Sequence, residues 1–270
     1  MQQSGVPLTE RIIGSRVAPL LQQGSDMVST ARWQRAQQYE RGYWASLATR
    51  IADGSTSQLD WYRWRAEQLV LRLRALGLER LVNRGARVIE VGCGPVGVAA
   101  FFPAAERMAV DPLEPYYATN ATLAALRDPA VDYREGSVEA LPCESGHYDL
   151  AIIENCIDHV RDMHAGMREL QRALRTGGAL YLTVNCRTKW GFVVHRVLSR
   201  LRVDAGHPHT FTPSRARALL ASHGFRIIDF QVGSYASARR EDLGAAERRA
   251  RIKGLIGISE FIFSAVALCE

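Results

Sequence analysis

From Gly85 onward the chain alternates short apolar runs with helical stretches, and this alternation limits the fold more than any other feature of the sequence. The apolar runs are Arg87–Val91, Met108–Asp111, Val131–Arg134, Tyr148–Glu154, Ala179–Asn185, Arg226–Val232 and Phe261–Leu268. Several are apolar almost without a break, as expected of strands covered on both faces. Between the fourth and fifth runs, Met163, Met167, Leu170 and Leu174 mark a helix, with Gly177 as its stop. Another helix starts with Thr212 as cap and Pro213 at the first position, and stops at Gly224. The pattern predicts an α/β fold with an open parallel sheet and right-handed crossovers. Ligands of such sheets bind at the carboxyl ends of the strands, near the point where strand order reverses.

Ahead of this region, residues 22–82 read as helical. Tyr62, Ala66, Leu69, Leu73 and Leu76 step by four, three, four and three residues, one apolar stripe of a helix. Asp53-Gly54-Ser55 breaks the helical run, Gly77 weakens it and Gly85 ends it. Glu40, Tyr43 and Trp44 lie on one side of the earlier helix. The domain reading is a helical cap over residues 1–84 and a main domain over 85–270, with an insertion at 186–212.

A content of 47% apolar and 23% charged residues supports a sizeable core and excludes a disordered or fibrous chain. The five cysteines, Cys93, Cys143, Cys156, Cys186 and Cys269, form no CxxC pair, so no zinc site or disulfide framework is expected and a reducing cytoplasm fits. Residues 1–21 lack the basic start and apolar run of a leader. The apolar tail Gly254–Cys269 is too short to span a membrane and contains Glu260, so it reads as a buried strand. The net charge of +6 rests almost wholly on arginine, the only lysines being Lys189 and Lys253. No lysine-rich arm marks a nucleic-acid binder and no apolar run is long enough to span a membrane, so neither nucleic acid nor membrane is expected as a partner. Tyr62-Arg63-Trp64-Arg65 reads as an apolar stripe with a solvated opposite face. Arg239, Arg240, Arg248, Arg249 and Arg251 among Glu241, Asp242 and Glu247 read as an exposed, salt-laced segment. Oligomeric state is left open.

The first strand runs into Glu90-Val91-Gly92-Cys93-Gly94-Pro95-Val96-Gly97. Gly92 and Gly94 keep side chains out of a ligand's path, and Gly92, Gly94 and Gly97 satisfy the GxGxxG dinucleotide pattern. Glu90 separates two readings. A carboxylate at the strand end repels a pyrophosphate and attracts an ammonium or sulfonium. Asp111, ending the second strand, is placed to accept both hydroxyls of a ribose in either case.

These residues resemble the class I S-adenosylmethionine-dependent methyltransferases, in particular the small-molecule group known as methyltransferase type 11. Glu90 to Gly94 resembles the family's first motif, and Ala109-Val110-Asp111-Pro112 its second acidic strand end. Gly136-Ser137-Val138-Glu139-Ala140-Leu141-Pro142 resembles the adenine loop. Tyr148 to Asn155, followed by Asp158-His159-Val160, resembles the fourth strand and its exit, and Leu174 to Leu182 the turn into the fifth. Two positions depart from the pattern. The third glycine slips from Val96 to Gly97, and Ser137 stands where the family commonly has Asp.

The resemblance implies a Rossmann-like sheet of seven strands, mostly parallel with the last antiparallel, and a methyl transfer from S-adenosylmethionine to an oxygen or nitrogen, less readily a carbon, of a small molecule. S-adenosylhomocysteine would be the product. Expected cofactor contacts are Glu90, Gly92, Cys93, Gly94, Asp111, Pro112, Ser137, Val138, Glu139, Asn155 and Tyr43. Trp44 from the cap, with Trp190, His207 and His209 from the insertion, are the expected substrate contacts. His159, at the edge of the site, is the candidate base, since a free imidazole titrates near neutrality. No metal ligands are assigned. The alternatives are a nicotinamide-dependent oxidoreductase using the same glycine loop, and a non-catalytic binding protein on this fold.

Overall fold

The computed structural model describes residues 27–56, 60–200 and 206–270. The expectation of no leader over residues 1–21, the helical pattern over residues 22–26 and part of the insertion fall outside the described residues.

Two helices come first, α1 (Thr30–Ala52) and α2 (Asp60–Ala75). Ser29 caps α1 by accepting from the Arg32 amide, and the chain leaves the helix at Asp53. The first strands and connections follow as β1 (Arg87–Val91), β2 (Glu106–Asp111), α3 (Glu114–Thr119), α4 (Ala121–Ala124), β3 (Asp132–Glu135) and β4 (Tyr148–Glu154). Next come α5 (Met163–Ala173), β5 (Leu174–Cys186), α6 (Lys189–Arg200), α7 (Pro213–Ala221) and β6 (Phe225–Val232). The chain closes with α8 (Tyr235–Gly244), α9 (Arg248–Ile256) and β7 (Phe261–Cys269).

The seven strands form one sheet in the order β3-β2-β1-β4-β5-β7-β6. All neighbours run parallel except β7, which is antiparallel to both β5 and β6. Order reverses between β1 and β4, so the carboxyl ends of these strands open the crevice where ligands of such sheets sit. The central strands are buried on both faces, and their side chains alternate between two cores. Ile89, Val91, Ala151 and Ile153 pack with Met163, Met167 and Leu170 of α5 and Leu219 and Leu220 of α7. Val88, Leu150 and Ile152 pack with Tyr62, Ala66, Leu69 and Leu73 of α2. The predicted α2 stripe is therefore its core face.

Three sequence expectations are corrected. Helix α2 stops at Ala75 with left-handed Gly77 just beyond it, earlier than Gly85. Helix α5 stops at Ala173, and Gly177 lies inside β5, because Leu174 already pairs with Tyr148 of β4. The apolar tail is not one strand. Its first residues finish α9, which turns at left-handed Gly257 before β7 begins.

Candidate active site

The loop after β1 is built on the buried Glu90. Its carboxylate accepts the amides of Val98 (3.1 Å) and Ala99 (2.7 Å), which open a single 3-10 turn over Ala99–Phe101. In a dinucleotide site, amides at this place in the fold start a long helix and hold a pyrophosphate. Here the protein's own carboxylate fills that anion hole. Burial lifts the Glu90 carboxyl to about 7, against the pull of the two amides. Gly97 makes room for it, since a Cβ there would stand 2.4 Å from Glu90 Oε2. Glu90, expected as a cofactor contact, does not line the cavity wall; in the structure its carboxylate supports the loop.

The loop glycines also answer to the protein. A Cβ on Gly92 would lie 2.4 Å from the Cys156 sulfur, and one on Gly94 would lie 2.8 Å from Trp44 Cζ2. Both residues have positive φ. The absent side chains thus admit neighbouring protein groups as well as opening the cavity.

That cavity, of about 450 Å³, lies at the reversal of strand order. It falls within the range of about 300–1,000 Å³ usual for small-ligand sites. Gly92, Cys93, Gly94, Asp111 and Pro112 form its floor. Asp111 Oδ2 accepts the Gly94 amide at 2.9 Å, and Oδ1 accepts the Leu113 amide at 2.9 Å. Burial raises the Asp111 carboxyl to about 6 despite these donors. Glu154 and Asn155, at the exit of β4, form another side. Asn155 is the one non-glycine residue with positive φ among the described residues, and its buried Oδ1 has no hydrogen-bond partner.

The two front helices close the cavity. From α1 come Glu40, Tyr43 and Trp44, and from α2 come Trp61, Tyr62 and Arg65. Arg65 pairs with Glu154 and lies 4.9 Å from the Trp61 ring centroid. The Tyr62 hydroxyl is buried beside Gly94 with no hydrogen-bond partner. At the rim, His159 lies between two carboxylates. Its Nδ1 is 3.5 Å from Glu40 Oε1, and its Nε2 is 3.8 Å from Asp158 Oδ1. The His207 ring lies 4.7 Å from that of His159. Asp158, His159 and His207 each bring one metal-capable donor atom within 4.8 Å of the others, a grouping to which the sequence reading assigned no metal.

The remaining expected contacts are divided. His207 lines the cavity, but His209 is buried behind it, with Nε2 2.9 Å from the Val160 carbonyl. Trp190 is 62% exposed and donates its indole N–H to the Ile256 carbonyl, away from the cavity. Ser137, Val138 and Glu139 also lie outside the wall. Ser137 bridges to Ala140, Val138 packs in the core, and Glu139 accepts the amides of Arg161 and Asp162. Conversely, Arg65 and Glu154 line the cavity although the sequence reading placed neither there. The available signal was the position of Arg65 three residues after the buried Tyr62, an arginine on the margin of an apolar stripe.

The sheet order with its antiparallel β7, and a carboxylate-propped loop in place of a phosphate-binding helix, define the methyltransferase variant of the doubly wound fold. The chain belongs to the methyltransferase domain family, whose model matches residues 61–229. It is 33% identical over 161 residues to a ubiquinone biosynthesis O-methyltransferase of Xanthomonas axonopodis pv. citri (strain 306), covering 56% of this chain and 66% of that protein. The chain thus spans just under two thirds of the length of that relative. Two solved structures share the fold. One is a protein of Galdieria sulphuraria provisionally assigned as a sarcosine dimethylglycine methyltransferase (TM-score 0.57, 15% identity, covering 76% of this chain and 85% of that one). The other is the geranyl diphosphate C-methyltransferase of Streptomyces coelicolor A3(2), determined with Mg2+, geranyl diphosphate and S-adenosyl-L-homocysteine (TM-score 0.52, 15% identity, covering 77% and 83%). The nicotinamide alternative is set aside by the family match and by Glu90, which fills the place of a pyrophosphate.

Proposed function

We propose that the cavity binds S-adenosylmethionine and that the chain directs its methyl group to an oxygen or nitrogen of a small molecule. The observation that carries this reading is the filling of the phosphate-type anion hole by Glu90. What remains open at the strand ends is a cavity rich in carboxylates and aromatic faces, which favours a cation. The residues present fit the cofactor. Asp111 has free lone pairs for ribose hydroxyls. Arg65 and Glu154 offer opposite charges for the carboxylate and ammonium of an amino-acid end. The unpartnered Tyr62 hydroxyl and Asn155 amide oxygen give further polar contacts. Tyr43 and Trp44 face the same space. When bound, the cofactor supplies a methyl group on a sulfonium, an electrophile that needs alignment and dry surroundings more than activation.

The chain's own contribution to the acceptor is at His159. It accepts the proton of an acceptor hydroxyl, and Glu40 and Asp158 stabilise the imidazolium that results. His207 adds a polar contact on the acceptor side. The O-methyltransferase name of the Xanthomonas relative favours oxygen over nitrogen for this chain.

Calorimetry with S-adenosylhomocysteine and with NAD tests the cofactor; tight binding of NAD alone rejects the reading. Turnover with a phenol and an aniline of matched shape tests the base. His159→Ala should lower phenol methylation by about 10²–10⁴-fold while leaving S-adenosylhomocysteine affinity intact. A phenol rate near wild type removes the base role.

A further inference from the structure

We propose that the outer faces of α6 and α9 form a docking surface for an anionic lipid bilayer. In α6, Trp190, Val193 and Val197 are spaced by three and four residues, which puts them on one side of the helix, and each is more than half exposed. In α9, Ile252, Leu255 and Ile256 follow the same rule and are 43%, 68% and 42% exposed. The opposite side of α6 holds it to the body, where His195 is buried and its Nδ1 lies 2.6 Å from Thr210 Oγ1. The two stripes meet, because the Trp190 indole donates to the Ile256 carbonyl at 2.9 Å. The result is one apolar strip across two helices, not six scattered side chains.

The charge around the strip is mostly of one sign, the nearby acids being the exposed Glu247 at the amino end of α9 and Glu260, which is paired with Lys253. Neither helix contains an Asp or Glu. Lys189 and Arg196 flank the strip on α6, and Arg248, Arg249 and Arg251 flank it on α9, all exposed. Among the described residues none of these five cations is in an ion pair, which corrects the expectation of a salt-laced segment at Arg248–Arg251. Apolar side chains and an indole amid exposed cations match the boundary between acyl chains and anionic headgroups. A second copy of the chain fits poorly, since two such cationic faces repel each other. A nucleic acid offers nothing for the aliphatic strip. No helix among the described residues is long and apolar enough to cross a membrane, and surface attachment requires none. The sequence expectation of no membrane partner rested on the missing span alone.

The test uses the full chain with large unilamellar vesicles of phosphatidylcholine alone or with 30% phosphatidylglycerol. Co-sedimentation should be at least tenfold stronger with the anionic vesicles and should fall steeply between low and high salt. Val193→Glu and Leu255→Glu each place a charge in one stripe at an exposed position. Each should weaken vesicle binding at least tenfold, with thermal melting and S-adenosylhomocysteine affinity unchanged. Failure to bind anionic vesicles overturns the proposal, as does equal binding to both compositions. So does light scattering that shows a dimer which Leu255→Glu splits, because the strip would then be a self-association face.

Discussion

Glu90 carries the sharpest consequence at the scale of a residue. Its carboxyl is raised to about 7 in the folded chain, from an ordinary value near 4.5. The folded state therefore holds this proton over a pH range in which the unfolded chain has lost it. The contribution of Glu90 to stability is fully present below about pH 4.5 and is lost as pH rises through 7, by roughly 3 kcal/mol in all. Glu90→Gln removes this titration, but it replaces one of the two oxygens that accept the Val98 and Ala99 amides with an NH2 group, which only donates. The variant should melt well below wild type at pH 5, and the gap should narrow by pH 8. A gap that is constant across this range in calorimetric scans would show that the carboxyl does not titrate there. Gly92→Ala meets both a positive φ and the Cys156 sulfur, and should destabilise the fold by about 2 kcal/mol or more in urea titration.

At the scale of elements, the tie between α2 and β4 matters most. Arg65 on α2 and Glu154 at the end of β4 pair across the cavity, with Glu154 almost wholly buried. Removing one partner leaves a buried charge uncompensated, whereas replacing both with neutral groups does not. Arg65→Ala should therefore cost about 3 kcal/mol in denaturant unfolding, and Arg65→Met with Glu154→Gln much less. Equal losses would mean that the pair contributes only packing. Elements whose ends rest on local chemistry were legible in the sequence. The Thr212 hydroxyl caps α7 by accepting from the Arg215 amide, with Pro213 in its first turn, as predicted. The end of α5 was not legible, because Gly177 is a plausible stop and only pairing with β4, far away in sequence, draws Leu174 into a strand.

The whole molecule joins the buried sheet, the cap helices and the cavity into one electrostatic arrangement. Asp111 has a carboxyl raised to about 6, and ribose hydroxyls donate only to its ionised form with full effect. Cofactor binding should therefore strengthen as pH rises through 6. Calorimetry should find S-adenosylhomocysteine roughly tenfold weaker at pH 5 than at pH 7, and Asp111→Asn should abolish the difference. A flat profile for the wild type would remove Asp111 from the ribose contact.

The sequence by itself determined the succession of the seven strands, the core stripe of α2, and the acids at the ends of β1 and β2. These follow from periodicity and capping, which act over a few residues. Only the tertiary structure decided what those acids do. Glu90 turns inward because the amides of Val98 and Ala99 fold back over it, while Asp111 remains at the cavity. Arg65 enters the site and Trp190 leaves it because their partners, Glu154 and Ile256, lie 89 and 66 residues away in the chain. Contacts across such separations depend on how the layers pack, and no local spacing records that.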